Sequence, residues 1–249
     1  MEKVLKNKTA IVTGGSLGIG KETCLLLAEK GANVIVADIN EEEGNHTTAE
    51  IRSAGGNAIF VFCDVSKEEQ IESLCHQAKE FGRLDIFVSN AGVGGKPDYM
   101  HRLSTDEWNR LLLIDLTSVF WCHKYAVNSM LADKEGGVVV NISSAAGLGA
   151  SPTLGGYAVA KAGVIELSLT AAVELATKNI RINVVCPGWT ETAIIGFAGN
   201  RGKESMKKQI PMGRLGTTQE IASLIVFLAS PESSFITGSV FRADGGLRS

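Results

Sequence analysis

The chain has 249 residues, of which 45% are hydrophobic and 20% charged, and its formal net charge at pH 7 is −3. A chain of this size and composition is expected to fold as one domain, residues 1–249, with a substantial core. The slight negative charge gives no reason to expect nucleic acid or an anionic membrane as a partner, and no apolar run approaches the roughly 18 residues of a membrane span, so a cytoplasmic protein is expected.

The chain begins with a strand, a glycine-rich turn and a helix. Residues Thr9–Thr13 are apolar or β-branched, as is typical of a buried strand, and a helix is predicted from about Gly18 to Gly31. The turn between them carries Gly14, Gly15, Gly18 and Gly20. Such glycines let the backbone approach a pyrophosphate, whose charge lies against the start of the helix. The pattern therefore favours a dinucleotide site.

An acidic residue follows the second predicted strand, Asn33–Ala37. Asp38 lies 18 residues beyond Gly20, at the spacing where a carboxylate binds both hydroxyls of an adenosine ribose. That carboxylate would repel a 2′-phosphate, and neither the turn nor Ile39–Asn40 supplies an Arg or Lys. The sequence therefore favours NAD(H) over NADP(H). The alternative is that Asp38 caps a helix opening at Glu41–Glu43.

Strands and helices continue to alternate through the middle of the chain. The predicted elements are strands at Ala58–Phe62 and Leu84–Val88 and helices at about Ser66–Phe81 and Ser104–Leu131. Asp64 follows the first of these strands, where its carboxylate could accept a hydrogen bond from an adenine amine. Ser89–Gly92 follows the second, and its small residues would let a cofactor pass close by.

A hydroxyl, a phenol and an ammonium group follow the next predicted strand, Val138–Ile142. Ser144 lies just past this strand, and Tyr157 and Lys161 share one face of a helix predicted from near Leu154. A neighbouring cation makes a phenol more acidic, which suits general acid–base catalysis, and a serine could bond the oxygen that changes charge. This spacing also arises by chance, and a serine after a strand is often a cap or turn former. The interpretation therefore depends on a cofactor site elsewhere in the chain.

A predicted lid lies near the end of the chain. Residues 189–212 connect a strand at Ile180–Cys186 to a helix at Thr217–Ala229, before a last strand at Ser239–Phe241. The connection is long and rich in glycine, which suggests a mobile lid. A hydrophobic or cyclic substrate, such as a hydroxysteroid or cyclic alcohol, is suggested by the apolar lid residues Trp189, Ile194, Ile195, Phe197 and Met206 and by Leu148 and Leu154, which flank the stretch that carries Ser144 and Tyr157. The alternative is that these residues simply pack the lid shut.

Seven predicted strands alternate with helices along the chain. This pattern predicts a Rossmann-like, doubly wound α/β fold, with a seven-stranded parallel sheet, helices on both faces and ligands at the carboxyl ends of the strands. The five cysteines show no CxxC pair and the four histidines no ligand spacing. Reduced core thiols and no metal site are therefore expected.

The chain resembles the classical, single-domain short-chain dehydrogenases/reductases from its first strand to Asp244-Gly245-Gly246. The matching motifs are Thr13-Gly14-x-x-x-Gly18-x-Gly20, Asn90-Ala91-Gly92, Ser144, Tyr157-x-x-x-Lys161 and Pro187-Gly188. The resemblance implies that Tyr157 is the catalytic acid/base and that Ser144 orients the substrate oxygen. It also implies that Lys161 makes the phenol more acidic and holds the nicotinamide ribose.

The same resemblance implies a set of cofactor contacts. The pyrophosphate would be lined by Gly14, Leu17, Gly18 and Ile19, the adenosine ribose by Asp38, and the adenine by Asp64 and Val65. Asn90, Ala91 and Gly92 would lie along the cofactor, and Pro187, Gly188, Thr190 and Thr192 near the nicotinamide carboxamide. The activity implied is interconversion of a small-molecule secondary alcohol and its ketone with NAD as cofactor, by a homotetramer.

Two residues depart from the family pattern. Asp115 stands where the family usually carries an Asn that helps a water reach the lysine through its backbone. An Asp can keep that backbone role, and its carboxylate would also add a negative charge near Lys161, so Asp115 is included among the candidate catalytic residues. Ser89 replaces a frequent Asn before Asn90, and a small polar residue still fits there.

Two other functions stay open. An acyl-carrier-protein ketoreductase is a close relative in the family, but such enzymes usually prefer NADPH and need basic residues for the acidic carrier, whereas Asp38 argues for NAD(H). A non-catalytic NAD-binding scaffold would be expected to lack Ser144, Tyr157 or Lys161, and all are present. Four residues are candidates either for the interface of the homotetramer or for the core: Tyr125, Ala126, Ala171 and Ala172.

Overall fold

A sheet of seven parallel strands forms the centre of the protein. The computed structural model describes residues 3–192, 195–196 and 199–248. The strands are β1 (Thr9–Thr13), β2 (Asn33–Asp38), β3 (Asn57–Phe62), β4 (Ile86–Ser89), β5 (Gly137–Ile142), β6 (Ile180–Pro187) and β7 (Val240–Ala243). They lie in the order β3-β2-β1-β4-β5-β6-β7, and each neighbouring pair is parallel. The predicted doubly wound sheet is confirmed.

Helices cover both faces of this sheet. They are α1 (Gly18–Glu29), α2 (Glu41–Ser53), α3 (Glu68–Gln77), α4 (Thr105–Leu112), α5 (Ser118–Asp133), α6 (Gly155–Leu175), α7 (Gly199–Gln209) and α8 (Thr218–Ala229). Helices α1, α2 and α8 pack on one face, and α3, α5 and α6 on the other. Side chains alternate along a strand, so Val12 of β1 enters the first core, between the sheet and α1, α2 and α8. Ile11 enters the second core, between the sheet and α3, α5 and α6. Of the helices described, none is long and apolar enough to cross a membrane.

The carboxyl ends of the strands meet at one edge of the sheet. Strand β1 pairs with β2 on one side and with β4 on the other, so the chain reverses its direction of travel across the sheet at this point. Such a reversal leaves a crevice outside the strand ends, where ligands bind in doubly wound folds. Asp38, Ser89 and Ile142 end β2, β4 and β5 at this edge.

The helix predicted at Ser104–Leu131 is interrupted. Helix α4 ends at Leu112, a π-helical turn occupies Leu113–Thr117, and α5 begins at Ser118. The apolar spacing continues through the turn, which is why the sequence pattern predicted one helix. A π turn accommodates an extra residue and changes which side chains point inward. Here it holds Asp115, which is fully buried.

The segment predicted as a lid, residues 189–212, contains α7, a helix that the sequence pattern does not predict. Three of its apolar residues, Ile195, Met206 and Ile210, are buried in a small cluster with Leu215. This packing supports the alternative in which the apolar residues close the segment. Ile194 and Phe197 lie outside the described residues, and mobility of the segment stays a prediction.

Three of the four residues that are candidates for either the subunit interface or the core belong to the core. Ala126, Ala171 and Ala172 are buried between α5, α6 and the sheet. Tyr125 is partly buried, and its hydroxyl donates a hydrogen bond of 3.0 Å to Glu68 Oε1. The three alanines are therefore unavailable to an interface between subunits, and Tyr125 stays a candidate for one.

Candidate active site

The glycine turn after β1 is held against the end of β4. Asn90 donates from Nδ2 to the carbonyls of Thr13 and Gly14, both at 3.0 Å. Thr13 Oγ1 accepts from the backbone N–H groups of Asn90 and Ala91, at 3.0 and 3.1 Å. A Cβ on Gly20 would lie 1.9 Å from the Gly14 carbonyl oxygen, so the first turn of α1 can approach β1 only with glycine there.

The beginning of α1 is open toward the crevice. Within the part of the chain that the structure describes, no side chain caps this helix at Leu17. Its first backbone N–H groups are then suited to bind phosphate oxygens, and the helix dipole favours negative charge at the same place. Gly18 has φ +56°, and a Cβ on it would lie 3.5 Å from Thr192, which brings the turn close to the segment after β6.

Asp38 connects the end of β2 to the glycine turn. Its Oδ2 accepts a hydrogen bond from the Ser16 N–H at 3.1 Å, and its Oδ1 accepts one from the Asn40 N–H at 3.0 Å. The capping alternative is wrong, because Asn40 caps α2 by accepting from the Glu43 N–H. Asp38 therefore does not cap α2, and it lies beside the turn where an adenosine ribose would be bound.

Asp64 and Val65 follow β3, further along the same edge. Asp64 Oδ1 accepts from the Ser66 N–H at 2.9 Å, and the Asp64 N–H donates to Gln70 Oε1 at 2.8 Å. Val65 is buried in the second core. These contacts fix the loop, and they leave adenine recognition by the two residues as a prediction.

Ser144, Tyr157 and Lys161 line one cleft. Ser144 follows β5 and its Oγ accepts from the Ala146 N–H at 3.1 Å, at the start of a short 3₁₀ helix, Ala145–Leu148. Tyr157 lies in the first turn of α6, and the Nζ of Lys161 is 5.6 Å from the centroid of its ring. A phenol, a cation and a hydroxyl converging in this way can exchange a proton with an alcohol oxygen.

Lys161 is fixed from several sides. Its Nζ donates to the Ile142 carbonyl at 3.2 Å, and its own carbonyl accepts from Ser143 Oγ at 2.8 Å. The side chain is almost fully buried. These bonds join α6 to the end of β5, so the position of the ammonium group is set by the sheet as well as by its own helix.

Asp115 forms a buried ion pair with Lys161. Its Oδ1 lies 3.3 Å from Lys161 Nζ and also accepts from the Val93 N–H at 3.1 Å, while Oδ2 has no hydrogen-bond partner among the described residues. Burial raises the pKa of Asp115, and the adjacent carboxylate raises the pKa of Lys161 despite burial. A Cβ on Gly92 would lie 2.5 Å from Asp115 Oδ1, so a glycine is needed beside the pair.

The cleft that these residues share has a volume of about 590 Å³. Of the predicted residues, those that line it are Ile19, Asn90, Gly92, Asp115, Ser144, Tyr157, Lys161, Pro187, Gly188, Thr190 and Thr192. Those outside its lining are Gly14, Leu17, Gly18, Asp38, Asp64, Val65 and Ala91, which lie along the adjoining turn and strand ends. The predicted catalytic and nicotinamide-side residues are therefore together, and the predicted adenosine-side residues continue the same edge.

Sequence reasoning missed one charged residue of the cleft. Arg248 lines it from the C-terminal segment, and its side chain donates to Ser151 Oγ at 2.7 Å. No local motif surrounds either residue, and 97 positions separate them in the chain. Only the folded structure brings them together.

The cysteines take no part in the cleft. All five are buried and unpaired, and burial raises the pKa of Cys63 and Cys75 to about 12. Such thiols stay neutral and unreactive near pH 7. The described residues contain no group of His, Cys, Asp and Glu side chains suited to hold a metal ion.

The protein belongs to the short-chain dehydrogenase/reductase family of oxidoreductases, as its motifs predicted. The family profile described as enoyl-(acyl carrier protein) reductase matches residues 14–248. The chain is similar to the 3-oxoacyl-[acyl-carrier-protein] reductase of Chlamydia muridarum, at 39% identity over 99% of this chain and 100% of the relative. It is 38% identical to the cis-4-hydroxycyclohexanecarboxylate dehydrogenase of Sinomonas cyclohexanicum, over 99% of this chain and 98% of the relative. The structure of carveol dehydrogenase from Mycobacterium avium in complex with NAD superposes with a TM-score of 0.94 at 28% identity, covering 98% of each chain.

Proposed function

We propose that this protein is an NAD(H)-dependent oxidoreductase that interconverts a secondary alcohol and its ketone, with a cyclic alcohol as the favoured substrate type. The observation that carries the proposal is the convergence of Ser144, Tyr157 and Lys161 in one cleft, continuous with a glycine turn suited to a dinucleotide. The names of the hydroxycyclohexanecarboxylate and carveol relatives support a cyclic substrate.

Each catalytic side chain has a separate task in alcohol oxidation. Tyr157, as the phenolate, takes the proton from the substrate hydroxyl, and Ser144 donates a hydrogen bond to the substrate oxygen. Lys161 stabilises the phenolate by its charge, since its ammonium lies against the tyrosine ring. The nicotinamide cofactor supplies the acceptor for the hydride that leaves the carbinol carbon. Ketone reduction reverses the proton transfers.

The choice of NAD(H) depends on Asp38. Its carboxylate lies at the end of β2 beside the glycine turn, where it accepts from the Ser16 and Asn40 backbone N–H groups. A 2′-phosphate there would meet an anion, whereas the two ribose hydroxyls of NAD(H) can donate to it. Rates with NADH and NADPH at equal concentration measure this preference.

Replacing Tyr157 by Phe tests the proposal directly. Tyr157→Phe is expected to lower turnover by at least about 100-fold, because it removes the proton acceptor, and to leave NAD(H) affinity within about twofold. Initial rates and NADH fluorescence titration measure the two quantities. Tyr125→Phe is the matched control, because that tyrosine bonds Glu68 away from the cleft and its loss should leave turnover unchanged. Wild-type turnover by Tyr157→Phe would refute the assignment.

The second candidate function is reduction of a 3-oxoacyl group on acyl carrier protein. The relative from Chlamydia muridarum supports it through its identity of 39%. A ketoreductase of this type is expected to prefer NADPH and an acyl-carrier substrate, which Asp38 and the net charge of −3 both oppose. Parallel assays with a 3-oxoacyl carrier and with cyclic alcohols distinguish the two functions, and absence of hydride transfer throughout would favour a non-catalytic scaffold.

The proposed assembly is a homotetramer that uses exposed apolar residues of α5 and α6. Phe120 on α5 is 48% exposed, and Val159 and Val173 on α6 are 43% and 80% exposed. Exposed apolar side chains on adjacent helices are typical of surfaces that bind another subunit. A second copy of this chain is the partner proposed for them.

A further inference from the structure

The chain after β7 folds back over the cleft and is fixed there by its own hydrogen bonds. Asp244 Oδ2 accepts from the Arg248 N–H at 3.0 Å, and the Arg242 guanidinium donates to the Arg248 carbonyl. The Arg248 backbone is thus held at both its N–H and its carbonyl. The guanidinium extends from this fixed point to the lining of the cleft.

A short chain of hydrogen bonds joins this guanidinium to the catalytic serine. Arg248 Nη2 donates to Ser151 Oγ at 2.7 Å, and Ser151 Oγ donates to the Ala146 carbonyl at 3.2 Å. The Ala146 N–H donates to Ser144 Oγ at 3.1 Å. These links limit the distance from Ser144 Oγ to Arg248 Nη2 to at most about 13 Å. One small substrate can therefore contact both residues.

Arg248 is the cleft cation that has no carboxylate partner. Among the described residues, three charged side chains line the cleft, and two of them, Asp115 and Lys161, form an ion pair. Within residues 3–192, 195–196 and 199–248, no carboxylate forms an ion pair with Arg248, and its buried Nε lacks a hydrogen-bond partner. A partly buried guanidinium with an unused donor is unfavourable until an anion binds it.

The neighbouring walls indicate what kind of anion this is. Leu154, Trp189 and Ile195 line the same cleft with apolar surface. A guanidinium matches a carboxylate through two parallel N–H···O bonds. The site thus suits a molecule with an apolar body, a hydroxyl or ketone at one end and a carboxylate at the other.

We propose that Arg248 is the residue that selects the substrate, and that the substrate class is compact hydroxy acids and their keto acids with an apolar, cyclic body. This inference rests on the proposed function for the reacting end of the substrate. It adds a second contact point in which the Arg248 guanidinium binds the carboxylate. That contact sets which alcohol enters the cleft and the direction in which its carbinol faces Tyr157.

The test compares 4-hydroxycyclohexanecarboxylate with its neutral carboxamide as substrates of the full-length enzyme with NAD⁺. For the wild type, kcat/KM is expected to be at least about tenfold higher for the acid than for the amide. Arg248→Gln is expected to lower kcat/KM for the acid roughly 10- to 100-fold, chiefly through KM, and to change the value for the amide less than about threefold. Arg248→Lys should retain part of the preference because it keeps the charge.

Arg242→Gln is the control for a purely structural role of the C-terminal segment. It removes the bond to the Arg248 carbonyl, while Asp244 still accepts from the Arg248 N–H and Ser151 still accepts from its guanidinium, so the preference for the acid should persist. Equal loss of acid and amide oxidation in Arg248→Gln would overturn the inference, as would a wild type without preference between them.

Failure of the proposed function gives a different result. In that case the wild type oxidises neither the acid, the amide nor cyclohexanol. Calorimetric titration with cyclohexanecarboxylate then tests Arg248 without turnover. Binding by the wild type that Arg248→Gln loses supports the inference, and equal binding by both, or binding by neither, overturns it.

Discussion

The ion pair between Asp115 and Lys161 determines how much positive charge the tyrosine faces. Lys161 Nζ lies 3.3 Å from Asp115 Oδ1 and against the Tyr157 ring. The other groups that interact with this pair electrostatically are Arg110, which faces Asp115, and Cys186, whose pKa burial raises to about 11. Since the Cys186 thiol is neutral in ordinary assays, Asp115 is the anion that opposes the lysine charge.

Asp115→Asn is expected to extend alcohol oxidation to lower pH. Removing the carboxylate leaves the Lys161 charge uncompensated, and that charge then stabilises negative charge on the oxygen of Tyr157, the proposed proton acceptor. At the acidic end of the profile, kcat/KM of Asp115→Asn should therefore exceed that of the wild type. The wild type and Asp115→Asn should differ in kcat/KM at pH values where Asp115 is ionised. Below the raised pKa of Asp115 the two enzymes should agree, because the protonated Asp and the Asn at position 115 are both neutral.

The measurement is a pH profile of kcat/KM for both forms, with Asp106→Asn as control. Asp106 lies in the exposed first turn of α4, so its substitution should leave the profile unchanged. Superimposable profiles for wild type and Asp115→Asn would show that the carboxylate does not act on the tyrosine. Loss of activity at every pH would instead indicate that the pair has a structural role.

The site residues that the sequence predicted share one property, which is that their relationship is local. Tyr157 and Lys161 lie on one helix, and Ser144 follows a strand, so spacing alone relates each to an element. Arg248 could not be predicted in this way, because its contact with Ser151 spans 97 positions. The ion pair of Asp115 is intermediate between these cases, because the sequence indicates the residue but its contact with Lys161 depends on the π turn.

At the level of elements, the glycine turn and α1 form a unit that tolerates little added volume. A Cβ on Gly20 would lie 1.9 Å from the Gly14 carbonyl oxygen and 2.6 Å from Asn90 Nδ2. Hydrogen bonds fix both atoms in place, because Asn90 Nδ2, just after β4, donates to the carbonyls of Thr13 and Gly14. Any side chain at this position must push α1 away from the end of β1.

Gly20→Ala is expected to lower the free energy of unfolding by about 1–3 kcal/mol and to weaken NAD(H) binding by at least about tenfold. The binding loss follows because the first N–H groups of α1 would move relative to the pyrophosphate. Urea denaturation and NADH fluorescence titration measure the two effects. Gly216→Ala is the control, because the nearest atom to its Cβ lies at an ordinary 3.6 Å. Unaltered cofactor affinity in Gly20→Ala would contradict the assignment of this turn.

The sequence pattern predicts two elements wrongly, each for a physical reason. The Leu113–Thr117 π turn keeps helical apolar spacing, so the pattern of the sequence does not reveal it. Helix α7 was predicted as part of a lid because glycines near its start indicated a loop. One of them, Gly199, has φ +57° at the first residue of the helix, which is a conformation that favours glycine.

At the level of the whole molecule, two cores hold the sheet between layers of helices. Periodicity predicted the number of strands and their parallel direction, because strands buried on both faces are almost continuously apolar. The strand order comes from the structure, in which β1 pairs with β2 and β4. That order creates the crevice, so the location of the site depends on a feature that no single stretch of sequence contains.

The faces of α5 and α6 that point away from the sheet govern the predicted assembly. Val159 and Val173 are 14 residues apart on α6, close to four helical turns, so they lie on the same side of that helix. A glutamate at position 173 would have to be desolvated if a second subunit covered this side. In the monomer it would stay hydrated, since Val173 is 80% exposed.

Val173→Glu is therefore expected to reduce the predicted homotetramer to dimers or monomers without unfolding the chain. Size-exclusion chromatography with light scattering measures the mass, and circular dichroism verifies the fold. Ser53→Glu adds the same charge at an exposed residue of α2, on the opposite face of the sheet, and should leave the tetramer intact. A monomeric wild type would refute the predicted homotetramer. A tetrameric Val173→Glu would instead place the interface on another surface, because a charged residue at the centre of an apolar contact costs several kcal/mol when it is buried without a partner.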